Sequence, residues 1–403
     1  MNSPYDLVII GGGMAGATLA AALSGHGLKL ALVEAAEPKV EALPNYDDRA
    51  IALAWGARRI FEALGLWPAM APHAAPILHI HVSEQGGFGF THLDAAEEGV
   101  PALGEVITAR DLGAVLLEHL QGLDDLDLLA PARVRWLSIE ERAAHVGLED
   151  GRELSAPLLV AADGGSSFVR QQLCFDTVRR EYHQSAVIAN VTPSRPHGNV
   201  AYERFTGNGP MALLPMHDER CALVWTVADE QREEVLGWDD ATFLARLQEN
   251  FGWRLGRFHK VGRRAAYPLS QLWVRDSVKP RAVLVGNAAH TLHPVAGQGF
   301  NLGIRDVAAL AEVVLDAVRK GEDPGSERVL RRYEQWRRRD RRGVALATDS
   351  LVRLFSNRWP PLRLGRNLGL LGLELCPPAR HGLARAAMGI EGRLPRLARG
   401  VPL

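Results

Sequence analysis

The fold is decided by the stretch Tyr5-Asp-Leu-Val-Ile-Ile-Gly-Gly-Gly-Met-Ala-Gly16 and by the segment that follows it to Glu34. Residues 5–10 form a short apolar, β-branched run, which is typical of a strand buried on both faces of a parallel sheet. The glycine turn at 11–16 leads into an Ala/Leu-rich segment with the composition of a helix, which lasts to Leu23. A second apolar run at 28–33 ends at Glu34. The predicted order is therefore strand, glycine turn, helix, strand and acid.

This order and spacing predict a dinucleotide-binding βαβ unit. Gly11 permits the tight turn, Gly13 lets a pyrophosphate approach the backbone, and Gly16 lets the helix pack closely on the strand. The helix N-terminus adds partial positive charge beside the phosphates. Glu34, eighteen positions after Gly16, is placed to accept hydrogen bonds from an adenosine ribose. The unit does not distinguish FAD from NAD.

A second strand-like run, residues 158–162, ends at Asp163-Gly164-Gly165-Ser166-Ser167. An acid at the carboxyl end of such a strand lies where open α/β sheets bind ligands. Asp163 is equally well placed to cap the helix that follows through Val169 and Leu173, and the sequence leaves both alternatives open. A serine nucleophile is disfavoured, because the elbow pattern G-x-S-x-G requires glycine where Phe168 stands.

A third site follows the strand-like run 282–285 and contains Gly286-Asn287-Ala288-Ala289-His290, then Pro294 and the loop 297–303. Apolar residues then recur at helical spacing as far as Val318. Glycines before a helix make an amide-lined N-terminus that suits a flat ring system bearing carbonyl groups. No metal site is predicted, because neither His290 with His293 nor His79 with His81 has further ligands at a recognisable spacing.

The composition is that of a soluble globular chain of 403 residues, with 47% hydrophobic and 23% charged side chains. The net charge of −1 provides no overall field for nucleic acid, yet residues 319–403 carry 19 basic and 8 acidic residues, a net +11. Three separated cysteines argue against a disulfide framework. The absence of a signal sequence or a membrane span predicts a cytoplasmic protein.

The three glycine sites together resemble those of the FAD-dependent aromatic hydroxylases with the para-hydroxybenzoate hydroxylase fold. The likeness is closest to the ubiquinone-biosynthesis branch, in particular to members that act on 2-polyprenyl-6-methoxyphenols. Further segments of the resemblance extend it over nearly the whole chain: 48–53, 108–112, 203–215, 224–225, 251–256, 266–269, 348–351 and 357–359. The wider family mostly has Gly-Asp in its third motif, where this chain has Asn287. An amide also hydrogen-bonds ribitol hydroxyls, and asparagine fits the named branch.

The resemblance implies an α/β fold in which the flavin domain is discontinuous. A Rossmann-like FAD-binding domain would comprise residues 1–75, 101–180 and 276–320. An antiparallel-sheet substrate domain would comprise residues 76–100 and 181–275, and a basic helical region would comprise residues 321–403.

The resemblance also assigns roles to individual residues. The ADP half of FAD would contact Gly11, Gly13, Ala15, Gly16 and Glu34, and its middle would contact Arg110 and Asp163. The ribitol and isoalloxazine would face Asn287 and the amides of Gly297, Gly299 and Asn301. Pro294 would border the ring where oxygen reacts, and Arg49 would contact flavin or substrate. An exposed, salt-bridged side chain is the alternative for either arginine.

The implied reaction is hydroxylation of a polyprenylated phenol in ubiquinone biosynthesis. NADPH or NADH would reduce FAD transiently, and O2 would then form a C4a-hydroperoxyflavin that transfers one oxygen atom to the ring. The alternatives are a sibling hydroxylase acting at another ring position, a flavin-dependent reductase of prenyl chains, or a non-catalytic flavin-binding component of a quinone-synthesis complex.

The basic tail allows two interpretations. It is either a helical layer with a solvated arginine face, or a surface that contacts partner proteins or the inner face of an anionic membrane. No motif for nucleic acid accompanies its arginines.

Overall fold

The structure, a computed structural model, describes residues 5–37, 49–356 and 359–403. Asp48, Asn357 and Arg358, which belong to the segments of the resemblance, lie outside the described residues. Within this part of the chain the helices are α1 Met14–Leu23, α2 Trp55–Ala63, α3 Trp67–Met70, α4 Ala109–Gln121, α5 Phe168–Gln172, α6 Arg232–Gly237, α7 Asp240–Phe251, α8 Gln298–Arg319, α9 Glu327–Ser356, α10 Pro360–Leu375 and α11 Pro377–Ala387.

The strands belong to four sheets. In chain order they are β1 Leu7–Ile10, β2 Leu30–Val33, β3 Ala50–Ala54, β4 Ala75–Ile77, β5 His79–Glu84, β6 Phe90–Asp94, β7 Gly104–Thr108, β8 Leu126–Leu129, β9 Val134–Ile139, β10 Ala144–Leu148, β11 Glu153–Ala156, β12 Leu158–Ala161, β13 Thr177–Pro193, β14 Val200–Thr206, β15 Gly209–Pro215, β16 Cys221–Ala228, β17 Phe258–Val261, β18 Ala265–Val274, β19 Val278–Lys279, β20 Ala282–Leu284 and β21 His290–Thr291.

The central sheet has the order β19-β20-β12-β1-β2-β8. Its pairs are parallel except that β19 is antiparallel to β20. All four residues of β1 are buried, as expected for a strand covered on both faces. Strands that are far apart in the chain lie side by side here, so the predicted discontinuous α/β fold is confirmed. The domain boundaries given above stay a prediction.

The largest sheet has the order β21-β18-β13-β16-β15-β14-β5-β6, with β17 on β13. Most of its pairs are antiparallel, as predicted, but β14 and β5 run parallel, with Val200 opposite His79. No hairpin joins these two strands, because β5 comes from a separate segment of the chain. Their direction is therefore free of the constraint that a short turn imposes.

One buried ion pair joins helices α8 and α9, and a second lies within α9. Arg337 Nε donates to Asp306 Oδ1 at 2.6 Å, and its side chain is only 2% exposed. Arg341 pairs with Glu334, and both side chains are nearly buried. The expectation of a uniformly solvated arginine face is therefore wrong for these two residues, because carboxylates of the core reach them. Arg338, Arg339 and Arg342 are exposed.

None of the helices among the described residues is long and apolar enough to cross a membrane.

Candidate functional site

The glycine turn between β1 and α1 is shaped by contacts that exclude side chains. Gly11 has a φ of +104°, and a Cβ added there would lie 2.5 Å from the carbonyl oxygen of Ala162. A Cβ at Gly16 would lie 1.9 Å from the Gly11 carbonyl oxygen. At Gly13, in contrast, a Cβ would meet nothing within 4 Å. The turn is therefore packed at both ends and open at its middle glycine.

This open space lies at the N-terminus of α1. Gly13 is the N-cap residue, and no side chain caps the helix. The first backbone N–H groups of a helix lack partners within it, and the helix dipole makes this end positive. An uncapped helix N-terminus with open space beside it is the kind of site at which proteins bind phosphate groups.

Glu34 lies beside the same turn, at the end of β2. Its Oε2 accepts a 2.7 Å hydrogen bond from the Gly12 amide, and its Oε1 accepts a 2.8 Å bond from the Ala36 amide. The carboxylate is thereby held in one orientation at the edge of the sheet. Each oxygen keeps a second lone pair, so the predicted ribose contact is compatible with both bonds.

Asp163 stands between the first glycine turn and α5. Its Oδ2 accepts a 3.1 Å bond from the Val169 amide, while Ser167 is the N-cap residue proper. Its Oδ1 is buried and has no hydrogen-bond partner among the described residues. Burial raises the pKa of this carboxyl. Asp163 therefore supports α5 with one oxygen, while the position of the other allows a bond from a hydroxyl or amide donor; contact of Asp163 with a ligand stays a prediction.

The third motif meets the first. Gly286 has a φ of +58°, and a Cβ added there would lie 3.1 Å from the Cβ of Ala15. A Cβ at Gly303 would lie 3.1 Å from the Cα of Gly286. Asn287 is exposed between the buried residues Gly286 and Ala288. The carboxamide of Asn287 thus points away from the core at an edge to which both motifs contribute.

The N-terminus of α8 forms the far side of the site. Gly297 caps the helix in the left-handed conformation, with a φ of +60°, and its amide donates to the Pro294 carbonyl at 2.9 Å. The Asn301 Nδ2 group donates to the carbonyls of Ala52 at 2.8 Å and Gly297 at 2.9 Å, and Oδ1 accepts from the Ala54 amide. Both donors of the carboxamide are therefore used within the protein, and any cofactor contact of this side chain is limited to the remaining lone pair of Oδ1.

Arg49 and Arg110 are brought close through the backbone. The Ala109 amide donates to the Arg49 carbonyl at 2.8 Å, where β3 meets the start of α4. The Arg49 guanidinium lies over the ring of Tyr267, 4.9 Å from its centroid. The side chain of Arg110 is exposed. Tyr267 belongs to the large sheet, so the Arg49 side chain joins the start of β3 to the large sheet at this point.

Sequence reasoning missed the pair of Tyr182 and His293 beneath the Pro294 turn. Their rings are in edge contact with centroids 5.1 Å apart, and His293 Nδ1 accepts from the Val295 amide at 3.2 Å. Burial lowers the pKa of His293 to about 4. Burial, together with the Asp349 carboxylate, raises the pKa of Tyr182 to about 12. Both groups are therefore neutral at pH 7 and act as supports for the turn.

His290 likewise has a structural partner. Its Nε2 lies 2.8 Å from Asp306 Oδ2 in a fully buried contact. Among the described residues, no group of three or more histidine, cysteine or acidic side chains is arranged to hold a metal ion.

The residues present fit a flavin dinucleotide. An uncapped helix end beside Gly13, the unpartnered Oδ1 of Asp163 and the exposed Asn287 lie along one edge of the parallel sheet. Residues 4–347 match the family model described as FAD binding domain. The chain belongs to this FAD-binding family. The predicted FAD cofactor and the predicted class of flavin-dependent monooxygenase are thereby confirmed.

The curated relatives of this FAD-binding chain include several named ubiquinone hydroxylases. It is 39% identical to ubiquinone hydroxylase UbiL of Rhodospirillum rubrum, over 99% of this chain and 93% of the relative. It is 32% identical to 3-demethoxyubiquinol 3-hydroxylase of Escherichia coli, over 96% and 100% respectively. Among solved structures, p-nitrophenol 4-monooxygenase PnpA from Pseudomonas putida has a TM-score of 0.81 at 20% identity, covering 98% of this chain and 100% of that one. This last likeness supports the fold alone.

Proposed function

We propose that this chain is a flavin-dependent monooxygenase of ubiquinone biosynthesis that hydroxylates the ring of a 2-polyprenyl-6-methoxyphenol. The observation that carries the proposal is the convergence of three separated glycine motifs at one edge of the parallel sheet, next to the large antiparallel sheet. The relatives named as ubiquinone hydroxylases, which match almost the full length, support the substrate class.

In this proposal the flavin lies along the edge just described. Its ADP half is held by Gly11, Gly13, Ala15, Gly16 and Glu34. Its middle is held by Asp163 and Arg110, and its ribitol and ring by Asn287 with the turn that contains Gly297, Gly299 and Asn301. FAD, when bound, supplies the electron transfer from NADPH or NADH to O2 on which ring hydroxylation depends.

The protein's own contribution is to position the ring and exclude water. The Pro294 carbonyl accepts from the Gly297 amide, and the neutral His293 accepts from the Val295 amide, so the turn is held on both sides of Pro294. Val295 belongs to an apolar cluster with Phe205, Phe355 and Leu370. Such a wall beside the reacting edge shields it from bulk water. Arg49 in its stacked position adds a positive charge that favours a phenolate over a phenol.

A second candidate is hydroxylation at another position of a polyprenylated ring. It is favoured by the full-length likeness to a relative named 3-demethoxyubiquinol 3-hydroxylase. The same cofactor residues serve both reactions, and the two differ only in how the sheet orients the ring. Binding to other proteins of quinone synthesis stays a prediction.

Quinone profiling of a deletion strain tests the choice. Loss of the gene should halt ubiquinone synthesis, and the proposal requires the strain to accumulate a 2-polyprenyl-6-methoxyphenol. Accumulation of a demethoxyubiquinone instead would establish the second candidate. An unchanged quinone profile, in a strain without a second copy of the gene, would contradict both.

A further inference from the structure

Helix α10 presents its apolar side to solvent. Leu364 and Leu368 are each 54% exposed, and Leu375 is 73% exposed. At 100° per residue these three leucines fall within one narrow stripe of the helix, here called the leucine face. Gly365, Gly369 and Gly372 are also exposed.

Three of the four charged and amide side chains of α10, those of Arg366, Asn367 and Glu374, point inward, whereas Arg363 is exposed. Arg366 and Asn367 both donate to the buried carboxylate of Glu84, and their own side chains are buried. Asn367 Oδ1 accepts from the Gly89 amide at 2.7 Å. Glu374 accepts from the His92 amide at 2.8 Å.

The usual arrangement of a surface helix is therefore reversed. Rotating α10 to bury its leucines would strip Glu84 and Arg366 of their partners, and an unpaired buried charge is strongly destabilising. The leucine face is thus locked outward by the polar contacts of the opposite side.

The chain on either side of the leucine face is rich in basic residues. Residues 341–388 contain eight arginines and two acids. Asp349, one of the two acids, is already paired with Arg180 and Arg353. The exposed arginines of this region that the structure describes are Arg342, Arg353, Arg363 and Arg385.

This charge pattern favours one kind of occupant. A second copy of the chain would bring arginines against arginines, because a twofold interface joins the same patch on both subunits. An anionic lipid surface offers both phosphate groups for the arginines and an apolar layer for the leucines. Trp359, 61% exposed just before α10, is a residue type enriched at the membrane interface.

We propose that the leucine face of α10 docks the protein on the surface of an anionic bilayer. The inner side of α10 connects the leucine face to the candidate active site. Leu370 of α10 packs in one apolar cluster with Phe355, Phe205 and Val295. Val295 follows Pro294 directly in the chain. The rings of Phe205 and Phe355 are stacked with centroids 3.6 Å apart. As a helix is about 10 Å across, docking brings the reacting edge close to the lipid. Docking would allow a prenylated ring to pass from the lipid to the active site. That role rests on the proposed function, whereas the docking itself does not.

Flotation of the FAD-loaded protein with vesicles tests the proposal. It should bind vesicles of phosphatidylcholine with about one-third phosphatidylglycerol, and bind less as salt is raised. The double variant L364Q/L368Q should bind about tenfold more weakly or worse, since two leucines leave the apolar layer. Val401→Gln is the matched control, because Val401 is 45% exposed near the chain end and away from α10.

A second measurement needs no variant. Vesicles should slow amide deuterium exchange in residues 359–375 of the wild-type protein. The docking proposal would be overturned if the wild type did not bind the vesicles, or if the double variant bound them equally well. It would also be overturned if protection were confined to other segments, or if the protein bound only to a partner protein.

Hydroxylation of a short-chain prenylphenol in detergent separates the two proposals. Both proposals hold if the double variant hydroxylates this soluble substrate at the normal rate and loses activity only on the substrate carried in vesicles. Vesicle binding without any hydroxylation by the wild type would contradict the proposed function alone, whereas hydroxylation without vesicle binding would contradict the docking alone.

Discussion

The carboxamide oxygen of Asn301 accepts a 2.8 Å hydrogen bond from the backbone amide of Ala54, which lies 247 residues earlier in the chain. With its two donor bonds, Asn301 ties the N-terminus of α8 to β3. The N-terminus of α8 and the edge of β3 are thereby held in a fixed position relative to each other beside the candidate site. Buried polar contacts of this kind fix one arrangement, because every alternative leaves a group unpaired.

Asn301→Ala should destabilise the protein and loosen the flavin. Asn301→Ala removes three hydrogen bonds, to the buried amide of Ala54 and to the part-buried carbonyls of Ala52 and Gly297, and we expect a loss of about 3 kcal/mol in the free energy of unfolding. Denaturant titration of the apo and FAD-loaded forms measures this loss. An unchanged midpoint in both forms would show that the hydrogen bonds of Asn301 do not contribute to stability.

The glycine turn supports a matched pair of substitutions. Gly13→Ala places a methyl group in open space, so the unfolding free energy of the apoprotein should change by about 1 kcal/mol or less. The same methyl group would occupy the space proposed for the phosphate, so the dissociation constant of FAD should rise about tenfold or more. Gly16→Ala drives a methyl group into the Gly11 carbonyl and should cost about 3 kcal/mol or more in folding. Apoprotein stability and flavin titration separate the two effects. Unimpaired FAD binding by Gly13→Ala would exclude this turn as the phosphate site.

Asn287 tests the third motif without disturbing the core. Because its side chain is exposed, Asn287→Ala should leave the stability of the apoprotein unchanged. It should weaken FAD binding about fivefold to tenfold, equivalent to one lost hydrogen bond, and Asn287→Asp should retain most of the affinity, because a carboxylate still accepts from ribitol hydroxyls. Flavin content after dialysis is the readout. Equal retention by Asn287→Ala and the wild type would remove Asn287 from the site.

Two buried histidines should make stability depend on pH. Burial lowers the pKa of His81 and of His293 from 6.5 to about 4. At these two histidines the unfolded chain therefore binds more protons between pH 6.5 and pH 4, so their contribution to stability is fully present above pH 6.5 and is lost as the pH falls towards 4. Each histidine should contribute up to about 3 kcal/mol to this decrease.

The variant His293→Gln should reduce the slope of unfolding free energy against pH by the contribution of one proton, at most about 1.4 kcal/mol per pH unit. His73→Gln, at an exposed position, controls for loss of a surface histidine. Chemical denaturation between pH 4 and pH 7 provides the measurement. If the slopes of His293→Gln and the wild type coincide, His293 is charged or solvated in the folded protein.

Local signals in the sequence accounted for the parts of the fold that are local in origin. The glycine turn, α1 and α8 follow from short-range spacing, and α1 ends at Leu23 as predicted. The burial of Arg337 depends on Asp306, and the hydrogen bonds of Asn301 depend on β3. Only the folded chain brings these partners near. Composition alone assigns such residues to solvent or to a ligand, because their partners are distant in the sequence.

The orientation of α10 shows the same limit. Its mixture of leucine, glycine and arginine is amphipathic, and amphipathic patterns are normally interpreted with the apolar side inward. Glu84, a buried acid on a strand some 280 positions away, reverses this choice by binding Arg366 and Asn367. No window of the sequence contains both elements.

Isotope incorporation is the most direct test of the proposed ring hydroxylation. The purified, FAD-loaded protein is incubated with NADPH or NADH, ¹⁸O-labelled O2 and a 2-polyprenyl-6-methoxyphenol, and the product is analysed by mass spectrometry. We predict a ring-hydroxylated product carrying one ¹⁸O atom, formed only in the presence of flavin. Oxidation of the nicotinamide with no ¹⁸O in the ring, or a product hydroxylated with oxygen from water, would contradict it.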